Sequence, residues 1–252
     1  MKVMSLNARV PVKVDGVNHF DNRKKRIVDL LRQEIPDLVG IQECMPEGRE
    51  WLAKELFDEY RILGCGRADG YVGEGTPIAF RKSEFELVKF ESFWLSDTPD
   101  IPGSVYENSD QSKCPRIASA ISLWHKKSQS MIRFVNTHLD HLGEEARKKE
   151  LSQIVDYLMP LEGHKIITGD MNAGPDSGPI KLLLEKGAPM GIKDCTTGIP
   201  WTLHCYGNIE LIHKIDFVFS DLNAVRGYTV QDTPVDGIYY SDHLAVCAEL
   251  EI

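Results

Sequence analysis

Residues 165–175 read KIITGDMNAGP, and this stretch organises the interpretation of the whole chain. The apolar and β-branched residues 166–168 predict the end of a buried strand, and the Gly-Pro pair at 174–175 ends it. Asp170 and Asn172 lie two positions apart, so on an extended chain both side chains point the same way. A carboxylate beside an amide suits work on a phosphate, because one can orient a water or hold a metal while the other donates hydrogen bonds. An isolated Asp-x-Asn is usually only a turn, so the rest of the chain has to show whether this one belongs to a functional site.

The bulk composition is that of an ordinary globular protein. The chain has 252 residues, 42% of them hydrophobic and 27% charged, with a net charge of −9. This length suits one large domain or two small ones. The acidic balance argues against a nucleic-acid grip built on a broad basic face, although a bound cation would offset part of it.

The cysteine pattern and the hydropathy pattern both favour a cytoplasmic protein. No two cysteines form a Cys-x-x-Cys pair, so a zinc knuckle is unsupported and reduced thiols are expected. No basic-then-apolar leader precedes the first predicted strand, and no apolar run approaches membrane-spanning length. We therefore expect no membrane insertion. The six cysteines are Cys44, Cys65, Cys114, Cys195, Cys205 and Cys247.

Strand patterns outnumber helix patterns along the chain. Helices are predicted after a cap at Asp21 or Asn22, from Pro46, over 144–159 and over 180–186. The basic run 23–26 on the first of these is interpreted as a solvated helix face in preference to a nucleic-acid patch. Strands are predicted at 2–8, 38–42, 60–64, 77–81, 85–95, 116–124, 131–139, 165–170, 202–206, 215–220, 225–230 and 243–252.

These elements predict one α+β domain over residues 1–252. Most strands look apolar on both faces, which favours two sheets packed face to face with helices outside. The long Pro- and Ser-rich loop 96–115 is typical of a functional loop or a disordered segment.

Polar residues gather where these strands end. If the last strand runs antiparallel to the others, its start lies on the same edge as their ends. Such a rim supports phosphoester hydrolysis, since oxygen ligands select a hard cation such as Mg²⁺ or Mn²⁺ and histidines stabilise the phosphoryl oxygens. The residues concerned are Asn7, Glu43, His138, Asp140, Asp170, Asn172, Asp216, Asp242 and His243.

Six motifs in order resemble the endonuclease/exonuclease/phosphatase superfamily, which has the DNase I-like fold. They are Asn7-x-Arg9, Gln42-Glu43, Asn136-Thr137-His138-Leu139, Gly169-Asp170-x-Asn172, Ile215-Asp216-Phe217 and Ser241-Asp242-His243. The resemblance implies a four-layer α/β sandwich of two mixed, mainly antiparallel sheets. It also implies a divalent metal and cleavage of a phosphodiester or phosphomonoester.

The same resemblance implies a role for each site residue. Asn7 and Glu43 are expected at the metal, with Glu43 the main ligand, and Asp242 is expected either to ligate the metal or to steer His243. Asp170 is expected to activate water and Asn172 to donate to the phosphate. His138 and His243 are expected to flank the phosphoryl group, with Asp216 orienting one of them.

Further residues are candidates for contact with the substrate. Arg116 can grip a phosphate or pair with an acid of the preceding loop. Asp140 and His204 are the other two candidates. Residues 93–99 and 114–116 resemble a bacterial branch of the superfamily whose substrates are mostly unassigned.

The substrate itself stays open at this stage. We expect a monomer acting on a small phosphoester or a nucleic-acid end. The alternatives are a DNA or RNA nuclease, and a binding or scaffold protein that kept the fold without the chemistry.

Overall fold

A computed structural model describes residues 1–252, apart from the side chain of Ile209. Within the described residues the chain forms four α-helices, α1 to α4, and twelve strands, β1 to β12. The helices are α1 Phe20–Glu34, α2 Pro46–Glu55, α3 Glu144–Leu158 and α4 Gly178–Gly187. The strands are β1 Lys2–Asn7, β2 Leu38–Gln42, β3 Tyr60–Leu63, β4 Ile78–Arg81, β5 Phe85–Trp94, β6 Ile117–His125, β7 Ser130–His138, β8 His164–Asp170, β9 Lys193–Asp194, β10 Asp216–Ser220, β11 Ala224–Val230 and β12 Ala245–Leu250.

The strands form two six-stranded sheets with matching designs. One sheet has the order β11-β12-β1-β2-β4-β3, and the other has the order β5-β6-β7-β8-β10-β9. In each sheet one central pair is parallel, β1 with β2 and β7 with β8, and the remaining pairs are antiparallel. The prediction of two mixed, mainly antiparallel sheets is confirmed.

Three apolar clusters give the molecule its four layers. The cluster between the sheets includes Val3 of β1, Phe134 of β7 and Val218 of β10. A second cluster packs α1 and α2 on the outer face of the first sheet, and a third packs α3 and α4 on the outer face of the second. Each fully buried Leu, Ile or Phe of these clusters contributes about 1.5–3 kcal/mol to folding.

The two parallel pairs bring the predicted site together. Asn7 ends β1 in register with Gln42 of β2, and His138 ends β7 in register with Asp170 of β8. Strand β10 is antiparallel to β8 and begins at Asp216, directly opposite Asp170. Strand β12 is antiparallel to β1, so the residues just before it reach the same rim.

Local predictions were wrong in three places. Residues 202–206 form no strand, and only Leu203 makes isolated bridges, to His213 and to His243. Helix α1 is capped by His19, whose ring accepts a hydrogen bond from the amide of Asp21. The two-residue strand β9 was not predicted, because its pairing partner β10 is distant in sequence.

The predicted exposed basic face of α1 is wrong at Arg23. Its side chain is fully buried (0% exposed). The guanidinium donates to the carbonyls of Asn18 at 2.8 Å and Tyr240 at 3.0 Å, and also to those of Ala8 and Arg9. Arg23 therefore ties α1 to two loops that border the site.

No helix among the described residues is long and apolar enough to cross a membrane.

Candidate active site

A cavity of about 620 Å³ opens at the rim where the strand ends meet. Seven of the eleven predicted site residues line it: Glu43, Arg116, His138, Asp170, Asn172, Asp242 and His243. Asn7 and Asp216 lie directly behind the wall and contact residues that form it. The remaining two, Asp140 and His204, are outside the wall.

Asp170 lines the cavity and is 2% exposed. Its Oδ2 accepts a hydrogen bond from Asn7 Nδ2 at 3.1 Å and lies 3.7 Å from His138 Nε2 and 3.9 Å from His243 Nε2. Its Oδ1 accepts from the backbone amide of Asn172 at 2.9 Å. Burial, followed by the nearby charge of Asp216, raises the pKa of Asp170. A carboxylate with a raised pKa is better matched to proton transfer near neutral pH.

His243 is held by a buried carboxylate on its far side. His243 Nδ1 is 2.8 Å from Asp216 Oδ2, which also accepts a hydrogen bond from the hydroxyl of Thr202 at 2.5 Å. Burial opposes a charge on the imidazole, but the carboxylates of Asp216, Asp242 and Asp170 outweigh it and raise the pKa of His243 well above its ordinary value. His243 is therefore an imidazolium that presents Nε2–H toward Asp170.

His138 is in the opposite state. Burial, followed by the positive charges of Arg116 and Arg67, lowers the pKa of His138 well below its ordinary value. Among the described residues its Nδ1 has no hydrogen-bond partner. One neutral and one charged histidine thus flank the same carboxylate.

Glu43 and Asp242 form the acidic side of the cavity, with Arg9 between them. The Arg9 guanidinium is 3.5 Å from Asp242 and 4.0 Å from Glu43. Glu43 has a positive φ of 52°, which turns the chain at the end of β2. It accepts from Asn7 Nδ2 at 3.0 Å and from the amide of Val10 at 3.1 Å.

The orientation of Asn7 differs from that expected of a metal ligand. Its amide nitrogen donates to both Glu43 and Asp170, while its oxygen accepts from the backbone amide of Arg9 at 2.8 Å. In this orientation Asn7 holds the two carboxylates together and does not offer its oxygen to a cation.

Two clusters of potential ligands fit a metal to different degrees. Glu43, His138 and Asp170 each place a ligand atom within 4.8 Å of the others, and so do Asp170, Asp216 and His243. The second cluster is already an ion pair with a protonated imidazole, which cannot ligate. The first joins two carboxylates to a neutral histidine and opens into the cavity, so it fits a divalent cation.

Asn172 reaches the cavity by a turn of the chain. Its φ is +46°, so the backbone is not extended here as the sequence suggested. The side-chain nitrogen of Asn172 donates to the carbonyl of Leu139 at 2.9 Å. An amide nitrogen carries two hydrogens, so one remains available to a bound phosphate.

Asp140 was predicted to contact the substrate, and the structure places it elsewhere. It is fully buried, and its oxygens accept from the amides of Ser112, Leu142 and Gly143 and from the Ser112 hydroxyl. Burial alone would raise the pKa of Asp140, but the combined effect of these hydrogen bonds is larger and lowers it to about 2. Asp140 lies 3.7 Å from Arg116 and stabilises that cation from behind.

Arg116 lines the cavity, but its partners are not those predicted from the preceding loop. It is 2% exposed and bonds through Nη2 to His141 Nδ1 at 2.9 Å. Its ion-pair partner is Asp140, which follows β7.

His204 is buried beside the cavity. Its Nδ1 accepts from the amide of Gly207 at 3.1 Å, and its ring packs against Trp201 and Tyr239. The next residues, Cys205 and Tyr206, line the cavity instead, both with positive φ.

Sequence reasoning missed several residues of the wall. Arg9 was visible in the first motif but received no role, and Arg67 and Glu74 were not considered. Both lie in the β3–β4 connection, which carries glycines at 64, 66, 70, 73 and 75. A glycine-rich connection beside a site was the available signal, because functional residues concentrate on such loops.

With this geometry established, comparison with known proteins identifies the family. The model of the Endonuclease/Exonuclease/phosphatase family matches residues 4–243. The chain belongs to the endonuclease/exonuclease/phosphatase family. The six motifs identified in the sequence therefore predicted the fold, and they lie where strands end or begin at one rim of the two sheets.

Proteins similar to this chain include two solved structures from Bacteroides species and one viral protein. A family member from Bacteroides vulgatus is 29% identical with a TM-score of 0.90, covering 99% of this chain and 98% of its own. A mannosyl-6-phosphatase from Bacteroides thetaiotaomicron is 25% identical with a TM-score of 0.86, covering all of both chains. An uncharacterized protein, L388, of Acanthamoeba polyphaga mimivirus is 28% identical over 185 residues, which are 68% of this chain and 67% of that protein.

Proposed function

We propose that this protein is a divalent-metal-dependent phosphoesterase that hydrolyses small phosphoesters by attack of water. The observation that carries the proposal is the position of Asp170. Its carboxylate lies between the Nε2 atoms of His138 and His243, at 3.7 and 3.9 Å, and is joined to Glu43 through Asn7. One cavity thus brings together a general base, side chains that donate hydrogen bonds to a phosphate, and a metal ligand.

Mg²⁺ or Mn²⁺ is the cofactor we propose. Glu43 would be its main ligand, with Asp170 close enough to share it and Asp242 on the same acidic side. Oxygen ligands favour these hard cations. When bound, such an ion neutralises charge that develops on the phosphoryl oxygens.

The chain's own residues supply the remaining chemistry. Asp170 orients the attacking water and takes its proton, since burial makes its carboxylate more basic. His243 donates from Nε2 to a phosphoryl oxygen, and Asp216 holds the ring in that orientation. Asn172 donates its free amide hydrogen to the same phosphate. His138, neutral and uncommitted at Nδ1, lies on the other side of Asp170.

A small substrate is favoured over a long nucleic acid. The net charge of −9 offers no broad attraction to a polyanion away from the cavity. The similar protein from Bacteroides thetaiotaomicron is a mannosyl-6-phosphatase, which supports a sugar phosphomonoester as one candidate substrate. A nuclease acting on an internal site would need phosphate contacts outside the cavity.

A substrate panel tests the proposal. Sugar phosphates, nucleotides, bis-p-nitrophenyl phosphate, oligonucleotides and supercoiled plasmid are assayed with Mg²⁺ across a salt titration. We expect turnover of small esters with a shallow salt dependence. Plasmid nicking with affinity falling at a slope of about −0.9 per phosphate contact would instead indicate a nuclease. Turnover of none of them would favour the scaffold alternative.

A further inference from the structure

We propose that the end of the cavity formed by Arg67, Arg116 and His141 is a subsite for a second anionic group on the substrate. The substrate class is then a small phosphoester that carries a further phosphate or carboxylate, such as a sugar bisphosphate. This inference rests on the proposed phosphoesterase function and specifies its substrate.

Arg67 is the accessible cation of this subsite. It lines the cavity and its side chain is 15% exposed. Through Nη2 it bonds to Glu74 at 2.8 Å, its one side-chain hydrogen bond among the described residues. A guanidinium has five N–H donors, so most of them remain free for a ligand.

The backbone holds Arg67 in place. Its amide donates to the carbonyl of Glu74 at 2.8 Å, and its carbonyl accepts from Trp94 Nε1 at 2.5 Å. A bridge between Gly66 and Gly75 closes the same hairpin. These contacts fix the position of the Arg67 backbone, and Glu74 orients the guanidinium from one side.

Arg116 adds a second positive charge to the cavity lining. It is 2% exposed, and among the described residues its Nε and Nη1 have no hydrogen-bond partner. Asp140, 3.7 Å away, already accepts four hydrogen bonds from other groups, so it compensates this cation only partly. A buried, incompletely paired guanidinium favours an anion nearby.

His141 extends that lining to the cavity surface. Its Nδ1 accepts the hydrogen bond from Arg116 Nη2 at 2.9 Å, which leaves the proton on Nε2. The ring is exposed and lines the cavity. Arg67 from one sheet and His141 beside the other thus present donors to the same space.

The topology separates this subsite from the reacting phosphate. Asp170 ends β8, while Arg116 precedes β6, two strands away in the same sheet. At the usual spacing between strands the two backbones are about 10 Å apart. Arg67 follows β3, the edge strand of the other sheet, on the side away from β12 and His243. A substrate with its scissile phosphate at Asp170 can therefore place a second anion at Arg67.

Matched substrates test the inference. The wild type, Arg67→Gln and Arg61→Gln are assayed with Mg²⁺ on mannose 6-phosphate and on mannose 1,6-bisphosphate. Arg61→Gln is the matched control, because Arg61 is an exposed arginine on β3 that does not line the cavity. We expect Arg67→Gln to raise KM for the bisphosphate about tenfold more than it raises KM for the monophosphate, as for loss of a charge-assisted hydrogen bond to the second anionic group alone. Arg67→Lys should recover part of the effect, and Arg61→Gln should match the wild type.

Binding without turnover separates this inference from the function. Calorimetry measures the affinity of Asp170→Asn for the two sugar phosphates, with and without Arg67→Gln. Tighter binding of the bisphosphate that is lost with Arg67 supports the subsite even if neither sugar is a good substrate. Equal affinity for both, or an equal loss for both on Arg67→Gln, overturns it while leaving the phosphoesterase proposal intact.

Discussion

His243 Nδ1 lies 2.8 Å from Asp216 Oδ2, and this contact determines which ring nitrogen faces Asp170. Asp216 begins β10 directly opposite Asp170 at the end of β8, so the strand register itself places the carboxylate behind the histidine. The pair is buried, and Thr202 fills a further acceptor position on Asp216. The orientation of the imidazole is therefore built into the sheet.

Asp216→Asn should lower kcat by about 10²–10⁴-fold and change KM little. The amide cannot stabilise the imidazolium, so His243 loses its charge and its fixed orientation. Steady-state kinetics on p-nitrophenyl phosphate measures the effect. Thr202→Val, which removes a hydrogen bond to the same carboxylate, should give a much smaller loss. Equal kcat in wild type and Asp216→Asn would contradict the role of the pair.

Glu43→Gln should weaken Mn²⁺ binding at least about tenfold, because a neutral amide replaces the main anionic ligand. Calorimetric titration of the purified protein measures this without any substrate. Glu50→Gln on the exposed face of α2 is the matched control and should bind as the wild type does. Unchanged affinity in Glu43→Gln would place the metal elsewhere.

Glu150 on α3 should make folding stability depend on pH. Burial raises the pKa of Glu150 to about 8, and among the described residues its Oε1 has no hydrogen-bond partner. The folded state thus keeps a proton that the unfolded state releases near pH 4.5. Stability from this group is complete below pH 4.5 and is lost as pH rises toward 8. Between these two pKa values the loss is about 1.4 kcal/mol for each pH unit.

Glu150→Gln should remove this dependence. Urea unfolding of both proteins at pH 5, 7 and 9 tests the expectation. The free energies of unfolding should diverge in favour of the variant as pH rises. Parallel pH curves would show that the carboxyl is not protonated in the fold.

Arg23→Met should destabilise the protein by about 2–4 kcal/mol, because buried carbonyls of the site loops lose their donor. Lys25→Gln, an exposed position on the same helix, should change stability by less than about 0.5 kcal/mol. Urea unfolding distinguishes the two. A similar small effect for both variants would show that the buried hydrogen bonds of Arg23 contribute little to stability.

The sequence predicts the fold well where the signal is local. Apolar strands followed by polar residues placed Asn7, Glu43, His138 and Asp170 at strand ends, and the sheets bring these ends together. The residues that sequence reasoning misplaced depend on distant partners. Arg23 is buried only because loops from both ends of the chain supply its acceptors.

Asp140 was predicted to contact the substrate but does not line the cavity, whereas Arg67 lines it and was not predicted. Both errors arise because the position of each side chain depends on partners distant in sequence. Asp140 follows a strand end like the other predicted site residues, but the loop carrying Ser112 folds over it and donates hydrogen bonds to its oxygens. Arg67 lies in a connection without a motif and reaches the cavity through a hairpin that Trp94 and Glu74 hold. Neither contact has a periodicity that sequence alone could reveal.

The most direct test of the central claim is the initial rate of hydrolysis of small phosphoesters by the wild type and Asp170→Asn. Both proteins are assayed with saturating Mg²⁺ and after exhaustive chelation. We predict metal-dependent turnover by the wild type, loss of that turnover on chelation and its recovery when Mg²⁺ is restored. Asp170→Asn should be slower by about 10²–10⁴-fold with its fold intact. Turnover that survives chelation, or is equal in the two proteins, would contradict the account.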